Sequence, residues 1–514
     1  MASTRVTART TACTAALIAA GCTAGAARAD VTAQEVWESW KDGITAFSAS
    51  AEITAGSEEM AGDTLTVTDI EISGMSEGSS IEGALAELTF TETGDGSVEI
   101  GSSPEMTYTA RETDAWGEET VMEFTLTQTG QQVTVSGTPE EMVYDFSAGR
   151  YAMRMDSMTM DGEPVEGDML FALNELSGSY TQSGETLIDF IYSLEAGSVD
   201  ILVDMTEPET EYSPSSTISY SGKLQNLSTE GTATVPTGEK IADEPGALFA
   251  EGLDVAFSYA YGPADFIFSA DDTQSRTSGA VTLESGGLDF AMNGEAVSYD
   301  SDSTGIDATI NLSQLPYPVE VAVAETGFSL ELPLAATEED APFGLTMLLR
   351  ELTLNDEVWD LFDPEASLPR DPATFRLGLS GSGKLDADLY DEERAEALNG
   401  ADFPGELTAL NLDTLELEAA GASVTGEGSF SFDNSDTTTF PGFPRPEGSI
   451  DLVMTGVNGL IDNLSEIGLL AREQLMGTRM MLGMFTTNAG DDRLTSTIEV
   501  DGTGKVFANG QRLQ

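Results

Sequence analysis

The sequence contains no histidine and, in 514 residues, only two cysteines, Cys13 and Cys22. Without histidine, neither a Ser-His-Asp nor a Cys-His nucleophilic system can form, and histidine-based zinc and iron sites are excluded. Both cysteines lie in the first 29 residues, so the rest of the chain has no thiol for a disulfide, a redox couple or a thiolate metal site. These absences predict a protein that is not an enzyme, with no catalytic residue and no cofactor.

Basic residues are also scarce: 21 Lys and Arg stand against 90 Asp and Glu, giving a formal net charge of −69. Nucleic acids and anionic membrane surfaces are bound through Lys and Arg, so nucleic acid is not expected as a partner. The hydrophobic content of 40% is nevertheless enough for a folded core. The length is too great for one compact core, which favours two or more domains or one elongated sheet.

The first 29 residues have the pattern of a cleavable export signal. Two arginines precede an apolar stretch at residues 11–20, which is too short to span a bilayer. Signal peptidase requires small side chains at the −3 and −1 positions, which Ala27 and Ala29 supply. The pattern predicts cleavage between Ala29 and Asp30 and a periplasmic protein without a transmembrane helix in its mature chain.

A second processing site competes with the first. Residues 18–22 form a loose lipobox, and cleavage before Cys22 would leave a diacylated membrane anchor. The favoured leucine three positions before the cysteine is missing, so cleavage after Ala29 is the preferred interpretation and the lipoprotein is the alternative.

From about residue 49 onward, short runs of alternating or β-branched residues predict strands. The turn pairs Asp95-Gly96, Asp161-Gly162, Gly286-Gly287, Asn293-Gly294 and Asn509-Gly510 separate such runs. Because these residues tolerate positive φ in tight hairpins, we expect sequential antiparallel strands. The predicted fold is mainly β, with long antiparallel, hairpin-rich curved sheets that have one polar and one apolar face.

Two helices are expected at the ends of the mature chain. Thr32 and Glu35 form a capping-box pattern that starts a short helix, whose residues Val36, Trp37 and Trp40 should dock on a sheet. An apolar stripe at helical spacing predicts one long helix at about 458–485, with a kinked or split helix as the alternative. The segment Pro236–Pro245 is the expected boundary between a β-rich half at 30–240 and a second half at 241–514.

Residues Gly378–Lys384 match the spacing of a phosphate-binding loop through its lysine. Such a loop needs a hydroxyl after the lysine and a helix N-terminus, but Leu385 follows and the next residues alternate as in a strand. A Ser–Lys catalytic pair from Ser380 or Ser382 with Lys384 lacks the S-x-x-K spacing. A Gly/Ser-rich β-turn is the preferred interpretation.

Residues Asp300–Gly305 resemble the first half of a calcium-binding loop, with Asp300, Asp302 and Thr304 as the candidate ligands. The twelfth position, normally a bidentate glutamate, is Asn311. The sequence therefore predicts no dedicated metal site and leaves only weak divalent-cation binding at these three residues.

The segment 476–485 is rich in methionine, at Met476, Met480, Met481 and Met484. Methionine at helical spacing usually packs in a core, which is the interpretation that we favour here. The alternative is an adaptable surface for a ligand or a partner.

Several motifs together resemble the DUF2125 family of exported alphaproteobacterial proteins. They are Asp30–Ala33 with Val36, Trp37 and Trp40, then Trp359–Pro364, Leu368–Pro372, Phe430–Asn434, Met480–Gly483 and Ala508–Leu513. That family has no established activity, so the resemblance supplies no site residue. A looser similarity to AsmA-like and DUF945-type envelope proteins implies lipid handling along a curved sheet with an apolar inner face.

The expected function is that of a non-enzymatic periplasmic protein that handles a lipid or another apolar ligand in maintenance of the cell envelope. The first alternative is a structural or protein-interaction module with closed β-cores, whose partner would be an envelope protein. The second is a weak divalent-cation binder.

Overall fold

The computed structural model describes residues 31–46, 51–76, 78–114, 117–184, 186–207, 215–236, 246–272, 275–391 and 405–513. The predicted export signal, with Cys22 and the Ala29–Asp30 cleavage site, lies outside these residues. Residues 237–245 of the expected domain boundary also lie outside them.

The protein is mainly β with long antiparallel hairpins, as the sequence predicts. The helices are α1 (Ala33–Ala46), α2 (Ala247–Ala250), α3 (Asp356–Trp359), α4 (Val457–Glu466) and α5 (Arg472–Phe485). The first twelve strands are β1 (Glu52–Ala61), β2 (Thr64–Ser76), β3 (Ser79–Glu92), β4 (Val98–Ser102), β5 (Glu105–Thr113), β6 (Glu119–Thr129), β7 (Gln132–Thr138), β8 (Glu141–Met160), β9 (Glu163–Pro164), β10 (Glu166–Ser183), β11 (Leu187–Glu207) and β12 (Ser216–Pro236). The others are β13 (Asp254–Tyr261), β14 (Ala264–Asp272), β15 (Arg276–Leu283), β16 (Ser285–Asn293), β17 (Ala296–Leu312), β18 (Val319–Pro333), β19 (Ala341–Leu354), β20 (Ala373–Leu385), β21 (Gly405–Ala419), β22 (Ala422–Asp433), β23 (Arg445–Thr455), β24 (Thr487–Gly490), β25 (Arg493–Val500), β26 (Val506–Ala508) and β27 (Gln511–Arg512).

The described residues fall into two compact units. The first contains residues 31–236 with 259–261 and 268–272, and the second contains 246–258, 262–267 and 275–513.

The sheet of the first unit is a meander that is split in its middle. Strand β3 pairs with β2 along one edge, and its other edge pairs with β5 in its first half and with β4 in its second half. Strand β8 is divided in the same way between β7 and β6. Beyond β8 the sheet continues through β10, β11 and β12.

Helix α1 closes the core of the first unit. Its capping box is confirmed: the Thr32 amide donates to Glu35 Oε2 at 2.9 Å, and the Glu35 amide donates to Thr32 Oγ1 at 3.3 Å. Val36 and Trp37 are fully buried, and the Trp37 ring lies 5.8 Å from the ring of Phe90 in β3. The predicted docking of this helix on a sheet is therefore confirmed.

A row of irregular residues crosses the long strands of this unit. The row consists of Gly149, Glu175 at φ 52°, Gly197 and Asn226 at φ 53°. In β8 the buried residues are even-numbered from Met142 to Ala148, and the next buried residue is the odd-numbered Tyr151. The even-numbered residues before the irregular row and Tyr151 after it belong to the same core cluster. The irregular row thus interrupts strict alternation, as a bulge does, and keeps the apolar side chains of both strand halves on the core.

The second unit contains an antiparallel meander in which each strand from β17 to β23 pairs with the next. Strand β25 then pairs with β23, and β26 and β27 complete the hairpins. The expected Asn293-Gly294 and Asn509-Gly510 turns join strands here. The prediction of a Gly286-Gly287 turn was wrong, because both glycines lie inside β16, opposite Ser303 and Asp302. Turn propensity is local, and strand pairing overrides it.

The expected long C-terminal helix at 458–485 is not confirmed as one helix, because the segment is split into two. Helix α4 ends at Glu466, and Gly468 follows at φ 83°, with its amide donating to the Ser465 carbonyl. A left-handed glycine after the last helical residue is the usual helix stop, so α5 starts as a separate helix at Arg472.

The motif at 359–370 forms a connector between α3 and β20. The fully buried carboxylate of Asp363 accepts hydrogen bonds from the amides of Ser367 and Leu368, at 2.9 and 2.7 Å. Arg370 donates to the carboxylates of Asp356 and Asp360. Two of the motifs that carry the family resemblance are thus explained by packing. Within the described residues, no helix is long and apolar enough to cross a membrane.

Candidate ligand-binding face

One face of the second unit's sheet carries apolar side chains from β17 to β25. Residues directly opposite each other on paired strands share a face, so the pairing register defines rows that run across the sheet. The longest row is Tyr299, Leu330, Leu345, Leu379, Leu412, Gly428, Ile450 and Ile498. A second row runs through Phe328, Met347, Leu377, Leu415, Gly426 and Leu452, and a third through Leu349, Phe375, Leu417, Val424, Met454 and Leu494. The fourth runs through Val297, Leu332, and then Phe343, Gly381, Leu410, Phe430, Gly448 and Val500. We call these four rows the apolar face.

The reverse face of the same strands is mostly polar. It carries residues such as Ser329, Thr346, Arg376, Ser380, Asn411, Glu416, Thr425, Glu427, Asp451 and Thr497, with Leu348 and Val453 as apolar exceptions. The alternation of side chains along each strand produces this division.

A bulge in β21 keeps that strand in phase with its neighbours. Leu410 and Leu412 are even-numbered, whereas Leu415 and Leu417 are odd-numbered, so strict alternation would place the two pairs on opposite faces. The register shifts between Gly378 and Leu379 of the partner strand, which leaves Asp413 as the extra residue. All four leucines therefore lie on the apolar face.

Glycines on the apolar face leave room for large neighbouring side chains. A Cβ added at Gly381 would lie 2.2 Å from Cζ of Phe343, and one added at Gly428 would lie 2.7 Å from Cγ1 of Ile450. The phenyl ring and the isoleucine thus extend over the glycine backbone. Packing within the face therefore requires glycine at these two positions, Gly381 in β20 and Gly428 in β22.

The apolar face is only partly covered. Phe328, Met347 and Leu417 keep 36%, 39% and 45% of their surface exposed, whereas Leu494 and Val500 at the β25 edge are buried. The buried apolar residues of the second unit, among the residues described, are Ala264, Val323, Leu368, Leu385, Ile461, Leu494, Val500 and Ala508. The first unit, by contrast, has a closed core of buried residues beneath helix α1. A sheet of this size whose apolar face stays half-buried has surface that is available to a ligand.

The three candidate metal ligands lie in the middle of a strand and not in a loop. Asp300, Asp302 and Thr304 belong to β17, which is paired on both sides. The Thr304 hydroxyl lies 2.7 Å from the Ser285 hydroxyl. Over the described ranges, no group of three or more carboxylates is arranged to hold a metal ion. The loop geometry that calcium coordination requires is thus missing at these residues.

The glycine-rich segment Gly378–Lys384 is strand, and not the β-turn that we expected. It lies within β20, paired with β19 and β21, and Lys384 Nζ lies 3.9 Å from Asp340 Oδ1. The described residues that follow the strand, 386–391, form no helix that could cradle a phosphate. Ser380 bonds to the Asn411 amide group, at 3.3 Å.

The interpretation of the methionine segment as core was wrong. On α5, Met476, Met480, Met481 and Met484 are 78%, 69%, 58% and 49% exposed. Helical spacing identifies residues that share a face, but it does not determine whether anything covers that face. The alternative, a surface for a ligand or partner, is the one that fits this exposure.

In the second unit, carboxyl groups whose pKa is lowered accept the hydrogen bonds that hold turns together. Asp501, at the turn after β25, accepts hydrogen bonds from the hydroxyl and amide of Thr503 and from the amide of Lys505. These bonds, chiefly that from the Thr503 hydroxyl, lower the pKa of Asp501 to about 2. A carboxylate held ionised in this way suits a turn and not acid–base chemistry near neutral pH.

A shallow depression in the first unit contains two arginines. It is lined by Glu105, Thr125, Thr127, Arg150, Ala152, Arg154, Asp156 and Leu170. Arg150 Nη1 donates to Asn174 and to Asp200, and Arg154 forms an ion pair with Asp168 at 3.0 Å. Because both guanidinium groups already have carboxylate partners, the depression is not an anion site.

Comparison with known proteins adds no identity. No family model, no curated protein and no solved structure matches the chain. The resemblance to the DUF2125 and AsmA-like families therefore stays a prediction.

Proposed function

We propose that the chain is an exported, non-enzymatic protein whose second unit binds an apolar ligand, such as a lipid acyl chain, on the apolar face. One observation carries this proposal: four rows of apolar residues cross the paired strands from β17 to β25, and their central members remain partly exposed.

The dimensions of the face suit a long hydrocarbon. Neighbouring strands lie about 4.8 Å apart, so the eight strands β17–β23 and β25 span roughly 34 Å, which is longer than an extended acyl chain. Burial of each methylene is worth about 0.8 kcal/mol, so even partial coverage of an acyl chain gives useful affinity.

The charge of the protein limits the class of ligand. The net charge is −69, and the reverse face carries several carboxylates. Anionic headgroups would be repelled unless they were paired with cations. A neutral or zwitterionic lipid is therefore the ligand that we propose.

The test begins with gentle purification of the protein and mass spectrometry of extracted lipid. It continues with the binding of N-phenyl-1-naphthylamine, a neutral fluorescent probe, and its displacement by monoolein. Leu379 lies in the longest row, whereas Ser380, the next residue, lies on the reverse face. Leu379→Asn should weaken probe binding about tenfold or more, because it places an amide in the middle of the apolar face. Ser380→Asn is the matched control and should bind normally.

Two results together would overturn the proposal: no copurifying lipid, and equal probe affinity in wild type and Leu379→Asn. Circular dichroism and the melting temperature of both variants would confirm that a loss of binding does not reflect unfolding.

The closed core of the first unit favours a second candidate, a protein-interaction module. That function predicts a specific protein partner that copurifies in stoichiometric amount whether or not Leu379 is replaced. If Leu379→Asn loses the lipid but still retains the protein partner, the protein–protein interaction lies on surfaces outside the apolar face.

A further inference from the structure

Helix α5 presents a second exposed surface whose composition differs from that of the apolar face. Its four exposed methionines, Met476, Met480, Met481 and Met484, form what we call the methionine face. Leu475, Thr478, Leu482 and Phe485 are partly buried. The other exposed positions between Met476 and Met484 are Gly477, Arg479 and Gly483. Methionine differs from leucine and phenylalanine in its thioether, so the exposed surface of α5 carries four accessible sulfur-containing side chains.

Three of these methionines are placed so that their sulfur atoms can converge. Met484 follows Met480 by four residues and Met481 by three, so it lies one helical turn above both. Side chains at these spacings are neighbours, with Cβ atoms about 5–6 Å apart. The methionine side chain is unbranched and flexible, so three thioethers can turn toward one point between them.

Nothing in the described residues crowds this surface. A Cβ added at Gly477 or at Gly483 would have no atom within 4 Å. Arg479, on the same helix, forms an ion pair with Asp462 of α4, so its charge is already compensated. A cation can therefore reach the sulfur atoms.

Thioethers are soft ligands that select copper(I) and silver(I) over calcium, magnesium and other hard cations. The chain has no histidine, and residues 23–514 have no cysteine, so methionine is the soft ligand that this part of the sequence offers. We propose that Met480, Met481 and Met484 bind one soft monovalent cation, copper(I) or silver(I), through their three sulfur atoms. The net charge of −69 favours the approach of a cation.

The experiment uses silver(I), which does not change oxidation state, in a chloride-free nitrate buffer with the full chain labelled at the methionine ε-methyl carbon. Of the 19 methionine resonances, those of Met480, Met481 and Met484 should shift and saturate at one equivalent of silver. Competition with bicinchoninate then measures the affinity for copper(I).

The decisive variant is Met480→Leu with Met484→Leu. It keeps the apolar surface and removes two sulfur atoms, so affinity should fall about tenfold or more while the melting temperature stays unchanged. The matched control is Met60→Leu with Met160→Leu, which removes two exposed methionines, 54% and 40% exposed, from strands β1 and β8. The control should bind as wild type does.

The proposal fails if the Met480/Met484 variant retains wild-type affinity, or if the control loses as much. It also fails if concentrated sodium nitrate abolishes binding, because that would assign the cation to surface carboxylates, whose interactions are screened by salt.

Discussion

Replacement of Trp37 should destabilise the first unit more than any single change on its surface. The indole is fully buried, its ring centroid lies 5.8 Å from that of Phe90, and its Nε1 donates to Glu58 Oε1 at 2.8 Å. Removal of a buried tryptophan to alanine costs about 3–5 kcal/mol, since the contacts are lost and a cavity remains. Trp37→Ala should therefore lower the free energy of unfolding of this unit by about 4 kcal/mol.

Trp37→Phe separates packing from hydrogen bonding. The phenyl ring keeps much of the contact with Phe90, but Glu58 loses the indole donor and keeps its ion pair with Lys41 at 3.7 Å. Glu58 reaches solvent and can be rehydrated, so loss of the hydrogen bond costs about 1 kcal/mol of unfolding free energy. The smaller phenyl ring leaves a cavity that costs about 1 kcal/mol more. We expect a total of about 2 kcal/mol.

In the assay, unfolding in urea is monitored by hydrogen–deuterium exchange mass spectrometry. This method distinguishes peptides of β2 and β3 from those of the second unit. Trp359→Ala, in the second unit, is the control and should leave β2 and β3 unaffected. A loss below about 1 kcal/mol for Trp37→Ala would refute the conclusion that α1 closes this core.

Three further predictions concern single side chains. Thr32→Ala removes the cap of α1 and should cost about 1 kcal/mol in the same exchange assay, and Thr32→Ser should restore most of it. Burial raises the pKa of Tyr108 from 10.0 to about 12. The neutral phenol is thus favoured in the folded state, so this contribution to stability is complete below pH 10 and is lost as the pH rises through about 12. Tyr108→Phe should remove that part of the alkaline loss of stability, as measured by urea unfolding at successive pH values. Asp363→Ala leaves the buried amides of Ser367 and Leu368 without an acceptor and should cost about 2–4 kcal/mol, seen as faster exchange in the 359–370 connector.

The sequence predicted the elements that depend on near neighbours. The capping box at Thr32 and Glu35 spans four residues. The Asn293-Gly294 turn is held by the Asn293 side chain, whose Oδ1 accepts hydrogen bonds from the amides of Glu295 and Ala296. Each of these features is confirmed because few long-range contacts are needed to form it.

The apolar face could not be predicted to the same extent. Alternation at Leu345, Leu379 and Ile450 was visible in the sequence, but their alignment into one row depends on the register of four strand pairs. A slip of one residue in any pair would break the row. The bulge at Asp413 illustrates this dependence, since it becomes evident only from the partner strand.

The sequence by itself determined that this protein is a strongly acidic β-sheet protein without histidine, whose strands each have one apolar and one polar side. Tertiary structure decided which of those apolar sides are covered. Helix α1 covers the first unit's core, whereas the apolar face of the second unit and the methionines of α5 remain partly or largely exposed. The physical reason is that periodicity is a property of one segment, but burial is a property of the segment together with whatever packs on it.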